Sequence, residues 1–289
     1  MDDATGLASG SGEGFGGVAE RLEKFAQQQR GEMERIIKKC VDDAMRKHNV
    51  AMKSHLSQVL NFIQRSITIS NHHSKVFPQF RNVHQGSDVV LVATGPTAKD
   101  YKCMEGAVHI GVNRAFQLET VDLRYLFMHD YKAVKKYIKE ASLYKPESCT
   151  KFYGGTIPAG ERLEANALYY HVATANVCMI GTLKEKKKKC RFCYNLDTEA
   201  FHAFGSVVFA AMPFALWTNP RTIYLVGCDC SSGYFDESFP SAFPSKQSQR
   251  LIRSWLSLKE FASLYYPDTK ILSINPVGLK GVFEEYVQT

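Results

Sequence analysis

The sequence lacks any apolar run close to the roughly 20 residues that cross a membrane as a helix. It opens on the acidic segment Met1-Asp2-Asp3-Ala4 and not on the basic and apolar regions of a secretion signal. Its eight cysteines are irregularly spaced, unlike the disulfide framework of a small secreted domain. We therefore expect a cytoplasmic protein whose thiols are reduced.

Sequence patterns that define several enzyme classes are missing too. The turn Thr94-Gly95-Pro96-Thr97 has one glycine where a dinucleotide-binding enzyme would carry G-x-G-x-x-G after a strand, which argues against a nicotinamide dehydrogenase. The Walker phosphate loop and the G-x-S-x-G elbow of hydrolases are absent. No Asp-x-Asp pair is present that could hold a metal ion on a diphosphate.

A zinc site is not expected either. Cys190-x-x-Cys193 supplies two ligands, whereas a tetrahedral site needs about four. The nearby candidates, Cys228 and Cys230, have an unorthodox spacing. We therefore expect no metal and no other cofactor.

The composition is that of a globular protein, with 289 residues of which 45% are hydrophobic and 22% charged. A formal net charge of +7 suits an anionic ligand or surface without requiring nucleic acid. The densest charge run, Leu183–Arg191, fits a solvated loop, or else a contact with an anionic acceptor or with lipid headgroups. Peripheral binding at the inner membrane face therefore stays open.

Composition divides the chain into three parts. Residues 1–17 are rich in glycine and serine and predict a disordered tail. Residues 18–76 carry apolar side chains at helical spacing, without proline, and predict a helical or coiled-coil arm that ends near His72 and His73, which we expect to be exposed linker residues. Two alternatives would cover the apolar stripe: self-association, or a helical hairpin folded onto the body. We favour a homo-oligomer, because a long helix exposing such a stripe needs a partner.

Residues 77–289 predict an α/β domain with a doubly wound, mostly parallel, Rossmann-like sheet. Short apolar runs, as in strands buried on both faces, alternate with helical patterns. The expected strands are Val89–Val92, Ala107–Val112, Leu123–Met128, Lys151–Tyr153, Thr222–Gly227 and Lys270–Ile274. The expected helices are Ala133–Leu143, a buried helix within His202–Trp217 that Pro213 would kink, Gln249–Tyr265, and a short one at the C-terminus.

Polar residues follow several of these strands, where they would surround one crevice at the carboxyl edge of the sheet. The turn at Gly95 and Thr97 suits a phosphate, since glycine allows close approach and threonine offers a hydroxyl and a backbone N–H. Asn113-Arg114 and His129-Asp130 end the next two strands, and Gly205-Ser206 would begin a helix. Without a metal-binding motif, these parts suit a metal-independent nucleotide-sugar enzyme.

Taken in order, Gly95-Pro96-Thr97, Asn113, Gly205-Ser206 and Ile223–Asp229 resemble the bacterial sialyltransferases of glycosyltransferase family 42. The resemblance covers about residues 86–280, and it implies that the Rossmann-like sheet is a GT-A-like variant. It extends to a broader group of polysaccharide-biosynthesis proteins with that fold, to which the 6-hydroxymethylpterin diphosphokinase family is related. The closing Ile274–Gly281 looks most similar to members of that broader group.

The resemblance implies a donor site and the residues that form it. The implied donor-binding residues are Gly95, Pro96, Thr97, Asn113, Gly205, Ser206, Asp229 and Tyr234. Asp229 would accept a hydrogen bond from the ribose or the base, or would merely cap a strand end. Tyr234 would donate a hydrogen bond to the departing phosphate.

The chain departs from the family at the catalytic base. The family has His-Ser-Lys where this chain has Pro244-Ser245-Lys246, so the histidine is missing. An inverting transfer needs a group that takes the proton of the acceptor hydroxyl. His129 and Asp130 are the replacements we favour. Further candidates for the base are His202, Asp236 and Glu237.

The sequence thus predicts a glycosyltransferase that moves a sugar from a nucleotide-sugar donor, CMP-linked, to a polysaccharide or glycolipid acceptor. One alternative is a magnesium-dependent, ATP-binding transferase like the pterin diphosphokinases. The other is a non-catalytic oligomeric scaffold protein in which the long helix is the working part.

Overall fold

A computed structural model describes residues 16–129, 137–154, 167–172, 192–202, 204–231, 233–236 and 245–288. The chain divides into two compact units, Met1–Ile63 and Gln64–Thr289. Asp130, Glu237, the run Leu183–Arg191 and the tail before Gly16 lie outside the described residues. In the part that is described, no helix is both long enough and apolar enough to pass through a bilayer.

The helical arm is one continuous helix, α1, over the 61 residues Gly16–Val76. It would be about 90 Å long at the usual rise per residue. The helical arm is confirmed, but the alternative of a helical hairpin is wrong, because nothing interrupts the helix: the segment has no proline, and Gly31 is tolerated within it.

Apolar side chains are exposed along the part of α1 that lies in the first unit. Eleven of them are between 47% and 63% exposed. They are Phe25, Met33, Ile36, Ile37, Val41, Met45, Val50, Met52, Leu56, Leu60 and Ile63. A helix of this unit therefore presents an apolar surface that its own unit does not cover.

The second unit is built on an eight-stranded sheet in which every pairing is parallel. The strand order is β5-β4-β3-β2-β1-β6-β7-β8. The strands are β1 Asp88–Val92, β2 Val108–Val112, β3 Leu123–Met128, β4 Thr150–Gly154, β5 Leu168–Tyr170, β6 Thr222–Val226, β7 Lys270–Ile274 and β8 Glu284–Tyr286. The doubly wound, Rossmann-like α/β fold is confirmed.

Helices cover both faces of this sheet, so inner strands such as β1 and β6 are buried on both sides, as their apolar runs predicted. α3 (Val208–Trp217), α4 (Ser245–Tyr265) and the last residues of α1 pack with one set of strand side chains, such as Leu91 and Phe127. α2 (Ile138–Leu143) and two 3₁₀ helices, Pro96–Asp100 and Asn113–Gln117, pack on the other face.

Two strands differ from the expectation. The C-terminal residues form β8, an edge strand, and not a helix: Glu284 pairs with Leu272, and the Tyr286 ring lies 5.0 Å from the ring of Tyr224. Pairing with the open edge of β7 satisfies backbone groups that a three-residue segment could not satisfy as a helix. β5 was not predicted from the sequence either, because Leu168–Tyr170 is too short to show an alternation of apolar and polar residues.

Three histidines connect the end of α1 to β5. His73 is fully buried, against the expectation of an exposed linker, and His72 is half-buried. The Nδ1 of His73 lies 2.9 Å from the Glu199 carbonyl oxygen, and its Nε2 accepts the His171 backbone N–H at 2.9 Å. Burial, followed by the charges of His171 and His72, lowers the pKa of His73 to about 3. His73 is therefore neutral, with both ring nitrogens engaged.

The strand order defines where the sheet can bind a ligand. From β1 the chain moves outward through β2, β3, β4 and β5, and then returns to place β6 on the other side of β1. The connections after β1 and β6 lead to opposite faces, because Pro96–Asp100 packs on one and α4 on the other. β1 and β6 thus flank a topological switch point, where open α/β sheets bind ligands beyond the carboxyl ends of the strands.

Candidate active site

The carboxyl ends of three neighbouring strands carry most of the predicted site. β1 runs into Thr94–Thr97, β2 into Asn113, and β6 into the segment from Gly227 onward, and the three strands are adjacent in the order β2-β1-β6. Because the strands are parallel, these residues lie at one edge of the sheet. The edge is the one at the switch point.

Thr97 and Asp229 join β1 and β6 across the switch point. The Thr97 backbone N–H donates to Oδ2 of Asp229 at 2.9 Å, and the Thr97 hydroxyl donates to Oδ1 at 2.5 Å. Asp229 is only 3% exposed. Burial raises the pKa of Asp229, the two bonds from Thr97 oppose that rise, and the nearby charge of Asp100 adds to it. The two residues predicted to bind the donor are therefore bonded to each other here.

Gly95 is a glycine because the segments that follow β1 and β6 approach each other closely at this point. Its φ of −68° and ψ of 162° are open to any residue, so no special backbone conformation requires it. A Cβ atom at Gly95 would lie 2.4 Å from both Oδ2 of Asp229 and the carbonyl oxygen of Gly227. The backbone N–H of Gly95 donates to that same carbonyl at 2.9 Å. The close contact between the ends of β1 and β6 therefore leaves room for no side chain at this position of the turn.

Three backbone N–H groups in and directly after this turn donate to protein oxygens. Gly95 donates to Gly227, Thr97 to Asp229, and Ala98 to the Gly95 carbonyl at 3.0 Å. Pro96 has no N–H to donate. In this arrangement the turn shapes the crevice, and an anion bound there would need hydrogen-bond donors from elsewhere.

The segment Gly233–Asp236 follows β6 and lies against the β1 turn. The Phe235 backbone N–H donates to the Thr94 carbonyl at 3.1 Å. Gly233 has a φ of +108°, and a Cβ there would lie 2.9 Å from Cγ of Pro96. Tyr234, a predicted donor residue, is thus held beside the turn by both of its neighbours.

Arg114 connects the end of β2 to this segment. Its guanidinium forms an ion pair with the Asp236 carboxylate. Its Nε donates to Oε1 of Gln117 at 2.8 Å, and the guanidinium carbon lies 5.9 Å from the centre of the Tyr137 ring. The side chains of Arg114 and Asp236 are only 13% and 28% exposed. The sequence marked Arg114 as a strand-end residue but did not include it in the site, because its partner lies 122 residues away.

Asn113 precedes Arg114 in the left-handed conformation, with a φ of +50°. Its side-chain oxygen Oδ1 is buried and has no hydrogen-bond partner among the described residues. A buried amide oxygen without a partner is unfavourable in the unliganded chain. Asn113 therefore offers an acceptor to a ligand at this edge.

His129 follows β3 at the same edge. The ring packs against Gly154 at the end of β4 so closely that a Cβ there would lie 2.2 Å from its Nδ1. The ring centre is 6.3 Å from that of Tyr170. Its neighbour Asp130 lies outside the described residues, as does Glu237. The reserve candidate His202 stacks on Phe204 at 5.5 Å.

Gly205 and Ser206 precede α3. Gly205 is exposed with a φ of +87°, and the Ser206 carbonyl accepts the Phe209 N–H at 3.2 Å. Four residues separate Trp217, the end of α3, from Thr222, the start of β6, so α3 runs antiparallel to the strands. At about 15 Å, α3 is as long as β1, which brings its N-terminus to the carboxyl edge.

The structure thus brings Gly95, Pro96, Thr97, Asn113, Asp229 and Tyr234 to one edge of the sheet. Gly205 and Ser206 reach that edge through α3, without a hydrogen bond to the Thr97–Asp229 pair in the described part of the chain. Over the same residues, no group of three or more His, Cys, Asp or Glu side chains is arranged to hold a metal ion.

No family model and no curated protein matches the chain. Among solved structures, it is similar to the MAf glycosyltransferase from Magnetospirillum magneticum AMB-1, with 14% identity, a TM-score of 0.46, and coverage of 76% of this chain but 38% of that one. It is also similar to the sialyltransferase CstII from Campylobacter jejuni in complex with the substrate analogue CMP-3FNeuAc. For CstII the identity is 13% and the TM-score 0.39, over 69% of this chain and 86% of that one. Identities and TM-scores this low do not assign a function to the chain.

Proposed function

We propose that this chain is a glycosyltransferase that moves a sugar from a nucleotide-sugar donor, CMP-linked, to a glycan or glycolipid acceptor without a metal cofactor. The observation that carries the proposal is the set of polar residues at the switch point between β1 and β6. Asn113, Tyr234 and the Thr94–Thr97 turn lie at the carboxyl edge of these strands, which is where α/β sheets of this kind hold nucleotides.

The residues of the crevice have different roles in this proposal. Thr97 and Asp229 hold the turn in shape through their two hydrogen bonds, with Gly95 allowing the close contact. Asn113 binds the donor through its buried amide oxygen, and Tyr234 donates to the departing phosphate. Gly205 and Ser206 contribute the N-terminus of α3, a ten-residue helix whose dipole favours an anion.

His129 and Asp130 supply the catalytic base in this proposal. The carboxyl end of β3 is next to that of β2 in the sheet, so His129 lies at the edge that carries the donor site. A positioned base accelerates such a transfer roughly 10²- to 10⁴-fold. The ring of His129 is held by its close packing on Gly154.

The exposed apolar surface of α1 supports a second part of the proposal, a homo-oligomer formed through the N-terminal helices. Seven of the eleven side chains, including Met45 and Leu56, project from one side of the helix, and burying them at about 60–120 Å² each covers roughly 400–800 Å² per helix. Stable protein interfaces bury about 800 Å² on each partner. The assembly works in the cytoplasm, with peripheral contact to an anionic membrane through basic residues.

Thermal stabilisation by nucleotides tests the proposed function. CMP should raise the melting temperature in the presence of EDTA, because a ligand that binds only the folded state stabilises it. UDP, GDP and ATP, each with and without Mg²⁺, are the comparison. Stabilisation only by ATP with Mg²⁺ would favour the pterin diphosphokinase-like alternative, and no stabilisation by any nucleotide would favour the scaffold.

A further inference from the structure

We infer that Arg114 binds the phosphate of the donor and that Asp236 occupies Arg114 in the ligand-free chain as an internal competitor for that phosphate. The inference rests on the proposed function for the identity of the ligand. The inference adds two residues to the proposed function: the cation that pairs with the negative charge of the phosphate, and a carboxylate that must leave this cation before the phosphate binds.

The first observation is that three backbone N–H groups of the segment after β1 are already engaged. Those of Gly95, Thr97 and Ala98 all donate to protein oxygens, and Pro96 has no N–H. A phosphate beside Thr97 therefore needs a hydrogen-bond donor other than these groups.

The second observation is the sign of the charges around the crevice. Asp229 and Asp236 lie at this edge, and Asp100 is close enough to Asp229 to raise its pKa. The negatively charged phosphate of the donor would be repelled by such a site unless a cation were present. Arg114 is a cation at the same edge, and a guanidinium can bind two phosphate oxygens at once.

The third observation is that Arg114 is already held in place. Gln117 accepts its Nε–H, the Tyr137 ring lies beside it, and the side chain is only 13% exposed. A cation fixed in this way loses little freedom when it binds an anion. On the adjacent residue, the buried amide oxygen of Asn113 has no hydrogen-bond partner among the described residues, so the same strand end also offers an acceptor to a ligand.

Asp236 has the features of a competitor. It reaches Arg114 from the segment that also carries Tyr234, and Phe235 connects this segment to Thr94 in the β1 turn. A carboxylate and a phosphate bind a guanidinium in the same bidentate manner. Exchange of Asp236 for phosphate would therefore release the end of this segment as the donor enters.

The test compares CMP with cytidine, which lacks the phosphate, by calorimetric titration of the full-length chain. Arg114→Gln should weaken CMP binding roughly 10- to 100-fold, as expected for a lost charged hydrogen bond, and leave cytidine binding unchanged. The CMP affinity of Arg114→Lys should lie between that of the wild type and that of Arg114→Gln. Asp236→Asn should tighten CMP binding by up to about fivefold, because the internal competitor is a partly exposed ion pair.

The opposite edge of the sheet offers a matched control. Arg221 forms a two-point ion pair with Asp88 at the amino ends of β6 and β1, at 2.8 and 3.2 Å. Arg221→Gln and Asp88→Asn remove a similar pair but should not change CMP binding. Thermal melting of each variant shows whether it is folded.

The outcomes separate this inference from the proposed function. If the wild-type chain binds CMP and Arg114→Gln binds it equally well, or if Asp236→Asn binds it no better, the inference is overturned and the proposed function stands. If the wild-type chain binds no nucleotide, the proposed function fails and titration with inorganic pyrophosphate decides. Binding that depends on Arg114 would then support the anion site, and its absence would overturn it.

Discussion

Replacing Gly95 by alanine tests the narrowness of the crevice with the smallest possible change. The backbone dihedrals of Gly95 suit alanine, so the effect comes from the added methyl group alone. That methyl would lie 2.4 Å from two oxygens, one on the Asp229 side chain and one on the Gly227 backbone. To reach an ordinary contact of 3.4 Å, both would have to move by about 1.0 Å.

A forced shift of this kind in a packed region costs about 1–3 kcal/mol. At roughly 2–4 °C per kcal/mol for a domain of this size, the melting temperature should fall by about 2–12 °C. Because one of the two obstacles is a backbone oxygen, Asp229→Ala should not rescue Gly95→Ala completely. CMP affinity should fall as well, since the turn moves away from β6.

Urea unfolding followed by tryptophan fluorescence measures this change. The chain has two tryptophans, Trp217 and Trp255, and both are buried in the core of the second unit. Gly31→Ala is the control, because a Cβ there meets nothing within 4 Å and α1 at that point belongs to the first unit. Surface substitutions that disturb no contact change the free energy of unfolding by no more than about 0.5 kcal/mol. If Gly95→Ala changes it by no more than that, the close contact of β1 and β6 is refuted.

Three further predictions follow from other parts of the molecule. The pKa of His73 is about 3 in the folded state and about 6.5 in the unfolded state, so below pH 6.5 the unfolded state binds a proton that the folded state does not. The free energy of unfolding should therefore fall as the pH falls below about 6.5, by up to roughly 1.4 kcal/mol per pH unit. His73→Asn should reduce that slope in urea titrations at pH 7, 6 and 5. Leu56→Lys should lower the molar mass measured by light scattering toward that of a monomer, whereas Ser54→Lys on the same helix should not. Equal masses for the two variants would contradict self-association through the apolar side chains of α1. His129→Asn should cut sugar transfer by roughly 10²- to 10⁴-fold with CMP affinity nearly unchanged, and Asp130→Asn likewise; full activity would remove either from the base role.

The long apolar strands could be read from the sequence because burial on both faces leaves an uninterrupted signal. Leu123–Met128 was predicted with the bounds that the structure gives it, and the predicted Val89–Val92 is one residue shorter than β1. β5 and β8 were missed because three-residue edge strands depend on a neighbouring strand and not on their own pattern. Whether residues 18–76 form one helix or two could not be decided from an apolar stripe, since both forms share its period.

The residues of the candidate site could be named, but their bonds could not. Strand-end positions such as Asn113 and Asp229 follow from local patterns. The pairing of Thr97 with Asp229 joins residues 132 positions apart, and it depends on the strand order that places β6 beside β1. For the same reason the sequence indicated that Thr97 could bind a phosphate, whereas its N–H and its hydroxyl both donate to Asp229.

A crystal structure of the chain with a non-hydrolysable CMP-sugar tests the central claim most directly. We expect the nucleotide at the switch point between the carboxyl ends of β1 and β6, with its phosphate beside Arg114 and no metal ion between the phosphate and the protein. Binding at any other place, or through a metal ion, would contradict the account.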